Sequence, residues 1–265
     1  EAVSIPARDG LRLVAYLTRP NSSRSHCAKT KYPLVLLVHG GPWERDYFGF
    51  HSIVQWLSNR GYAVLQVNYR GSSGYGKQFL LKGDGQWGVG SMQQDLTDSV
   101  QWCIDTGITW RDTVCIFGAS YGGYACLSGL AFTPDLFKCG VAINGPSNVK
   151  RLIDSIPTYW QPLRNTMIRR IGPVNKDEDL NRKISPYYHL DKIVAPLFLA
   201  QGANDPRVRR NETERIVSAM NSHNANVEYV LYPNEGHSIL RPSNREDLFE
   251  RIELFLAQHM PVRNE

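Results

Sequence analysis

From Leu34 onward, short apolar runs alternate with longer amphipathic stretches. The apolar runs are as long as strands and are too continuously hydrophobic to be half exposed. They cover residues 34–38, 63–69, 113–117, 140–143, 197–200 and 227–231. The stretches between them have helical periodicity and cover residues 52–59, 92–106, 121–132, 212–222 and 245–259. Buried strands separated by helices are typical of a mostly parallel sheet covered by helices on both faces, so we predict an α/β fold.

Two segments depart from this alternation. Near the N-terminus, apolar segments 3–5 and 11–17 flank Asp9-Gly10, which favours a tight turn between antiparallel strands. The polar, Ser-rich segment 21–31 that follows is predicted to be a loop. Later, about forty residues between Pro146 and Pro186 carry apolar and aromatic side chains without a strand, which is long for a connection. We predict a helical insertion at about 146–186 that covers a ligand site.

Length and composition limit the class of protein. The chain has 265 residues with 42% hydrophobic and 21% charged residues, which favours one folded α/β domain over residues 1–265. Its net charge of +5 is spread along the chain, so nucleic acid is not implied. The longest apolar run, 33–38, is far shorter than the roughly 20 residues that span a bilayer, so no membrane association is expected. The chain opens at Glu1 without Met and without a signal-like segment, so either a leader was removed or the chain was cut from a longer protein, and we favour the cut.

Five cysteines, an odd number without C-x-x-C spacing, support neither a disulfide framework nor paired metal ligands. We expect buried free thiols and a cytoplasmic protein. The segment 71–78 nearly spells a phosphate-binding loop, but Gln78 stands where Ser or Thr would hold magnesium. The seven histidines show no zinc-binding spacing. We therefore predict no metal and no cofactor.

The strand at 113–117 leads into Gly-Ala-Ser-Tyr-Gly at 118–122 and then into a helix. This G-x-S-x-G pattern in a strand-to-helix turn is the nucleophile elbow, which projects a serine hydroxyl above the sheet. Side chains at Gly118 and Gly122 would collide with neighbouring backbone in so sharp a turn. Ser120 is the candidate nucleophile.

A serine needs a histidine to take its proton and an acid to orient that histidine. Asp205 lies just past the strand at 197–200, and His237 follows the strand at 227–231. The order Ser120, Asp205, His237 is that of α/β hydrolases. Glu235 is a rival acid, but its two-residue separation from His237 disfavours a well-angled pair.

The oxyanion formed on an attacked carbonyl needs hydrogen-bond donors already in place. The backbone amide of Tyr121 is one candidate. The other is the amide of Gly41, because His-Gly-Gly-Pro at 39–42 follows an early strand and is a close match to the HGGG-type oxyanion motif. We expect His39 to hold backbone in place and not to transfer protons, since His237 fills that role.

The motifs at 39–43, 68–76, 118–123, 202–208 and 235–237 together resemble the catalytic domain of the prolyl oligopeptidase family of serine peptidases (S9). The likeness runs along the whole chain and is greatest to the acylaminoacyl-peptidase and dipeptidyl-peptidase-like branch. It implies an α/β-hydrolase fold and cleavage of short peptides, or removal of an acylated residue or a dipeptide from an N-terminus, through an acyl-enzyme. The implied substrate is a short peptide or an acyl-amino acid.

The same resemblance implies roles in substrate binding. Arg207 matches the family position that binds a substrate carbonyl near the scissile bond. Val208 and Tyr121 resemble walls of the pocket for the residue whose carbonyl is attacked. Tyr159 and Trp160 fall where the family supplies further aromatic walls, with core packing under the insertion as the alternative.

Members of this family usually carry an N-terminal β-propeller that restricts entry, and these 265 residues contain none. Either a propeller partner domain was cut away from this chain, or the enzyme stands alone. A stand-alone enzyme with a more open site would favour small esters, so a carboxylesterase is one alternative. A catalytically silent α/β-hydrolase used for binding is another, since fold alone does not dictate activity. Homo-oligomer formation is left open.

Overall fold

In a computed structural model, which describes residues 1–21 and 31–263, eight strands form one sheet. Their order across the sheet is β1-β2-β4-β3-β5-β6-β7-β8. The strands are β1 (Ala2–Pro6), β2 (Arg12–Thr18), β3 (Leu34–Val38), β4 (Ala63–Asn68), β5 (Val114–Ala119), β6 (Cys139–Ile143), β7 (Leu197–Gly202) and β8 (Val227–Tyr232). From β4 to β8 all neighbours pair in parallel, whereas β1 and β2 pair antiparallel with each other and β2 pairs antiparallel with β4.

At least one helix follows each of the parallel strands. In the described residues they are α1 (Ser52–Asn59), α2 (Lys77–Leu81), α3 (Ser91–Asp105), α4 (Tyr121–Phe132), α5 (Val149–Asp154), α6 (Gln161–Ile171), α7 (Glu178–Ile184), α8 (Arg210–Ser222) and α9 (Pro242–His259). Two 3₁₀ segments, Thr158–Trp160 and Pro186–Lys192, complete the insertion between β6 and β7. The predicted helical insertion is confirmed.

The hydrophobic core lies on both faces of the sheet. Along β3, alternate residues point to opposite faces: Leu34, Leu36 and Val38 join one cluster, while Val35 and Leu37 join the other. Residues of α3, α4 and α8 pack into the first cluster, and residues of α1 and α9 pack into the second. The predicted α/β-hydrolase fold is therefore confirmed.

The N-terminal hairpin is also confirmed, since β1 and β2 pair in register across the turn at Asp9-Gly10. An ion-pair network that runs from the exposed Asp9 into the core anchors this hairpin. Arg70 bonds the fully buried Asp95 of α3 (2.7 Å) and Asp9 at the hairpin turn (2.7 Å). The loop predicted at 21–31 falls almost entirely on residues 22–30, which lie outside the described residues.

The structure differs from the sequence prediction in three places. β8 is mostly half-buried, because it forms the edge of the sheet and has a strand on one side only. The short helix α2 follows the glycine-rich segment and was not predicted. The last helix begins at Pro242, where proline is favoured because its missing N–H has no helical partner at the first turn.

Cys103, Cys115, Cys126 and Cys139 are free and buried, as expected, and Cys27 lies outside the described residues. Over residues 1–21 and 31–263, no helix combines the length and apolar character needed to cross a bilayer.

Candidate active site

Ser120 occupies a strained turn between β5 and α4. Its φ of 58° and ψ of −119° lie outside the regions that non-glycine residues favour. A Cβ at Gly122 would lie 2.1 Å from the carbonyl oxygen of Val38, and one at Gly118 would lie 2.4 Å from the backbone of Gly122. Only glycines allow β3, the end of β5 and the start of α4 to approach this closely. The result is a serine hydroxyl held at the carboxyl edge of the sheet.

His237 connects Ser120 to Asp205. Its Nε2 lies 2.9 Å from Ser120 Oγ, and its Nδ1 lies 2.6 Å from Asp205 Oδ2. The Asp205 side chain is fully buried, and its second oxygen accepts hydrogen bonds from the amides of Arg207 (2.7 Å) and Val208 (3.0 Å). These two amides stabilise an ionised carboxylate and fix its direction. A carboxylate at Nδ1 keeps the proton there, so Nε2 faces the serine as an acceptor.

Asn144 is a residue of the site that the sequence analysis missed. It follows β6 with a φ of 48°, and its Nδ2 donates to the carbonyl of His237 (2.7 Å). Its Oδ1 accepts from the amide of Gly202 at the end of β7 (2.8 Å). Asn144 therefore ties the histidine loop to the neighbouring strand. A polar residue directly after a buried strand, followed by Gly145, was the available signal.

Glu235, the rival acid, forms hydrogen bonds elsewhere. Its carboxylate accepts hydrogen bonds from the amides of Leu240 (3.2 Å) and Arg241 (2.8 Å) and from Asn244 Nδ2 (2.7 Å). It thus fixes the chain that enters α9, and His237 is oriented by Asp205 instead.

Gly41 and Tyr121, the predicted oxyanion residues, line one cavity together with Ser120 and His237. The loop of Gly41 lies close to the elbow, since a Cβ at Gly40 would be 3.6 Å from Ser120 Cβ. The amide of Tyr121 belongs to the first turn of α4, where backbone N–H groups are unpaired and the helix dipole favours negative charge.

His39 lies beneath this loop. Its Nδ1 is 2.8 Å from the carbonyl oxygen of Gly40, its Nε2 is 2.9 Å from Ser72 Oγ, and its ring stacks on Tyr69 at 4.4 Å. Burial lowers the pKa of His39 to about 4, so the ring is neutral near pH 7. A neutral ring fixed by these contacts holds the Gly40 backbone, which agrees with the role expected for it.

The cavity above Ser120 has a volume of about 630 Å³ and mostly apolar walls. Tyr121, Tyr159, Trp160, Arg207 and Val208, which the sequence analysis assigned to substrate binding, all line it. Tyr159 is 76% exposed and Trp160 is 38% exposed, so core packing does not describe either residue. Sequence reasoning missed several further wall residues. Among these are Trp43, Glu44, Trp87, Leu152, Leu163 and Met167.

The mostly parallel sheet, the serine elbow and the hydrogen-bonded chain from serine through histidine to aspartate define the class of α/β hydrolases. A model of the prolyl oligopeptidase family matches residues 48–262. The chain belongs to this family, and the resemblance drawn from its motifs is confirmed.

Two relatives and one solved structure illustrate the similarity. Dipeptidyl aminopeptidase BIII of Pseudoxanthomonas mexicana is 48% identical over 99% of this chain and 39% of its own length. Dipeptidyl peptidase family member 6 of Caenorhabditis elegans is 39% identical over 95% of this chain and 37% of its own length. A puromycin-hydrolyzing peptidase of Mycobacterium tuberculosis superposes with a TM-score of 0.91 at 27% identity, over 98% of this chain and 39% of its own. The chain thus spans less than two-fifths of the length of each.

Proposed function

We propose that this chain is a serine peptidase that hydrolyses short peptides, releasing an N-terminal dipeptide or acyl-aminoacyl group through an acyl-enzyme. The observation that carries the proposal is the continuous hydrogen-bonded chain from Ser120 Oγ through His237 to the buried Asp205, opening into an apolar cavity. A serine activated in this way is the requirement for acyl transfer.

In the proposed reaction, Ser120 Oγ attacks the carbonyl carbon of the scissile bond while His237 Nε2 takes the hydroxyl proton. Asp205 stabilises the imidazolium that results. Negative charge develops on the carbonyl oxygen, and the amides of Gly41 and Tyr121 are the proposed donors to it. His237 then gives its proton to the leaving amine, the C–N bond breaks, and the acyl group remains on Ser120.

Deacylation follows the same path with water. His237 takes a proton from water as the hydroxide attacks the acyl carbon, and Ser120 leaves with that proton returned to its oxygen. The neutral, half-buried His39 has no part in these transfers and keeps the Gly40–Gly41 backbone in position.

Substrate binding is supported by the walls of the cavity. Val208, Tyr121, Tyr159 and Trp160 offer an apolar surface for the side chain of the residue attacked. Arg207 is the proposed donor to a peptide carbonyl, because its guanidinium presents several N–H groups in one plane. The relatives named as dipeptidyl peptidases favour release of a dipeptide.

We further propose that residues 1–265 act as one catalytic domain, with peptides as its partners and the cytoplasm as its location. The buried free thiols are consistent with a reducing compartment.

The test is kcat/KM on three substrates: a dipeptidyl anilide, an acyl-amino-acid anilide and a short p-nitrophenyl ester. Wild type is compared with Ser120→Ala and with Ser222→Ala, a matched control at an exposed helix end. Turnover of either anilide that is lost only in Ser120→Ala supports the peptidase. Turnover of the ester alone replaces the proposal by a carboxylesterase.

A fluorophosphonate probe separates a third outcome, because it labels only an activated serine. Protein that neither turns over any substrate nor takes the label would be a silent member of the fold, and the proposed function would be wrong.

A further inference from the structure

A second, smaller cavity of about 330 Å³ adjoins the one above Ser120. Both cavities have Leu152, Ser155, Arg207 and Val208 in their walls. The second cavity is lined in addition by Arg151, Arg209, Arg215, Asp154 and Glu212. We call it the arginine pocket. Arg207, the proposed carbonyl donor, lies between the two spaces.

Charge in the arginine pocket is unbalanced. Asp154 is already paired with Lys150 at 2.6 Å and with Arg164 at 3.5 Å, both outside the pocket lining. Among the described residues, Arg207, Arg209 and Arg215 form no ion pair. A cavity lined by such guanidinium groups attracts an anion.

Arg151 and Glu212 supply unused hydrogen-bonding capacity. Their closest approach is 3.7 Å, and both Arg151 Nη1 and Glu212 Oε2 are buried without a hydrogen-bond partner among the described residues. Arg151 is held in place by its guanidinium, which stacks over Tyr187 at 4.4 Å. Buried polar atoms left unpaired are costly, so a ligand oxygen reaching Arg151 Nη1 is favoured.

Glu212 does not cancel this preference. Burial raises its pKa above the ordinary value, against the opposing effects of Arg151 and Arg215. Its charge is set against Arg151 at 3.7 Å, which leaves the charges of Arg207, Arg209 and Arg215 uncompensated among the described residues.

We propose that the arginine pocket is a substrate subsite for a carboxylate, carried by the side chain of the residue that precedes the one attacked. The inference rests on the proposed function and names a substrate class for it: peptides with Asp or Glu at that position. Because Arg207 borders both cavities, a peptide whose carbonyl it holds directs its next side chain into the arginine pocket.

The test uses three anilides of the sequence X-Ala, with X as Glu, Gln or Lys, in the free or acetylated form that the protein hydrolyses. We expect kcat/KM for Glu to exceed that for Gln by about tenfold, or about 1.4 kcal/mol, and Lys to be the poorest. Arg215→Gln, at an exposed position, should reduce the ratio of kcat/KM for Glu to that for Gln from about tenfold to about twofold. Arg209→Gln tests the subsite independently and should also reduce the preference for Glu over Gln.

The matched control is Arg210→Gln. Arg210 is also an exposed arginine of α8, but it pairs with Glu214 at 3.9 Å and does not line the pocket. Its replacement should leave the ratio of Glu to Gln unchanged. A ratio that the Arg210 and Arg215 variants lower equally overturns the subsite, since a general surface field would then explain it.

The two proposals fail in different ways. Hydrolysis of the Gln substrate that is lost in Ser120→Ala, without preference for Glu, overturns the subsite and leaves the peptidase. A preference for Lys overturns the subsite in favour of cation binding at Glu212. Absence of hydrolysis of all three substrates overturns the proposed function and the subsite with it.

Discussion

Replacing Asp205 by Asn tests whether this carboxylate sets the tautomer of His237. Asp205 Oδ1 accepts two backbone hydrogen bonds, from Arg207 and Val208. The oxygen of an asparagine preserves both bonds, which places its NH2 group where Oδ2 now lies, 2.6 Å from His237 Nδ1. The amide donates, so Nδ1 must accept and the imidazole proton moves to Nε2. A protonated Nε2 cannot take the proton of Ser120.

The expected loss follows from this geometry. An inverted tautomer removes the base, and the loss of negative charge removes the stabilisation of the imidazolium. Together these lower kcat by about 10⁴, the size seen when the aspartate of a serine protease triad is replaced in this way. The barrier rises by about 5 kcal/mol. The fold should remain, because the substitution is nearly isosteric and the two backbone bonds are kept.

The assay is kcat/KM on the best anilide from about pH 6 to about pH 9, with thermal unfolding of each variant in parallel. Asp205→Ala is the second variant and Glu235→Gln the matched control, since the Glu235 carboxylate hydrogen-bonds the chain entering α9 and forms no hydrogen bond with His237 among the described residues. We expect Asp205→Asn to be no more active than Asp205→Ala and Glu235→Gln to stay within about tenfold of wild type. A variant Asp205→Asn that keeps more than about a tenth of the activity would refute the tautomer argument.

Three further predictions concern the supports of the site. Gly122→Ala should lower the free energy of unfolding by at least about 1–3 kcal/mol in urea titrations, because its methyl group would meet the Val38 carbonyl at 2.1 Å. Asp95→Asn removes the buried charge that faces the Arg70 guanidinium, which keeps only the exposed Asp9 as an ion-pair partner among the described residues, and should cost up to about 3–5 kcal/mol in the same measurement. The pKa of His39 falls to about 4 on folding, so the unfolded chain binds this proton more readily. The free energy of unfolding should therefore fall by at most about 2 kcal/mol from about pH 7 to about pH 5 because of His39. This contribution to the pH dependence should vanish in His39→Gln.

Much of the fold was predictable because it depends on local pattern. Continuous apolar runs distinguish the buried parallel strands, and Asp9-Gly10 marks the hairpin. The position of Ser120 was also predictable, since glycines at 118 and 122 indicate that the backbones of neighbouring segments approach closely there. The half-exposed β8 was not predictable in this way, because its apolar residues look like those of a central strand until its neighbours are known.

The remaining parts of the site depend on contacts between distant segments. Asn144 is an ordinary turn residue until the fold brings the carbonyl of His237 to its amide. The arginine pocket joins Arg151 of α5 to Arg215 of α8, which are separated by a strand and two helices along the chain. Charges scattered along the sequence gave no sign that they would share a cavity. The sequence predicts which side chain stands at the end of a given strand. It does not predict which residues from distant segments will lie beside that side chain in the site.

The position of α4 explains how the strain at Ser120 is tolerated. A left-handed conformation of a non-glycine residue costs on the order of 1–3 kcal/mol and persists only where the surroundings fix it. Tyr124, Cys126 and Leu127 of α4 are fully buried, so the helix that follows the elbow has no freedom to release the strain. The cavity wall is different, because Tyr159 stands 76% exposed on the insertion. The residues proposed for bond breaking are thus held in place by the core, whereas Tyr159, proposed for substrate selection, lies on a surface segment that can change without disturbing Ser120.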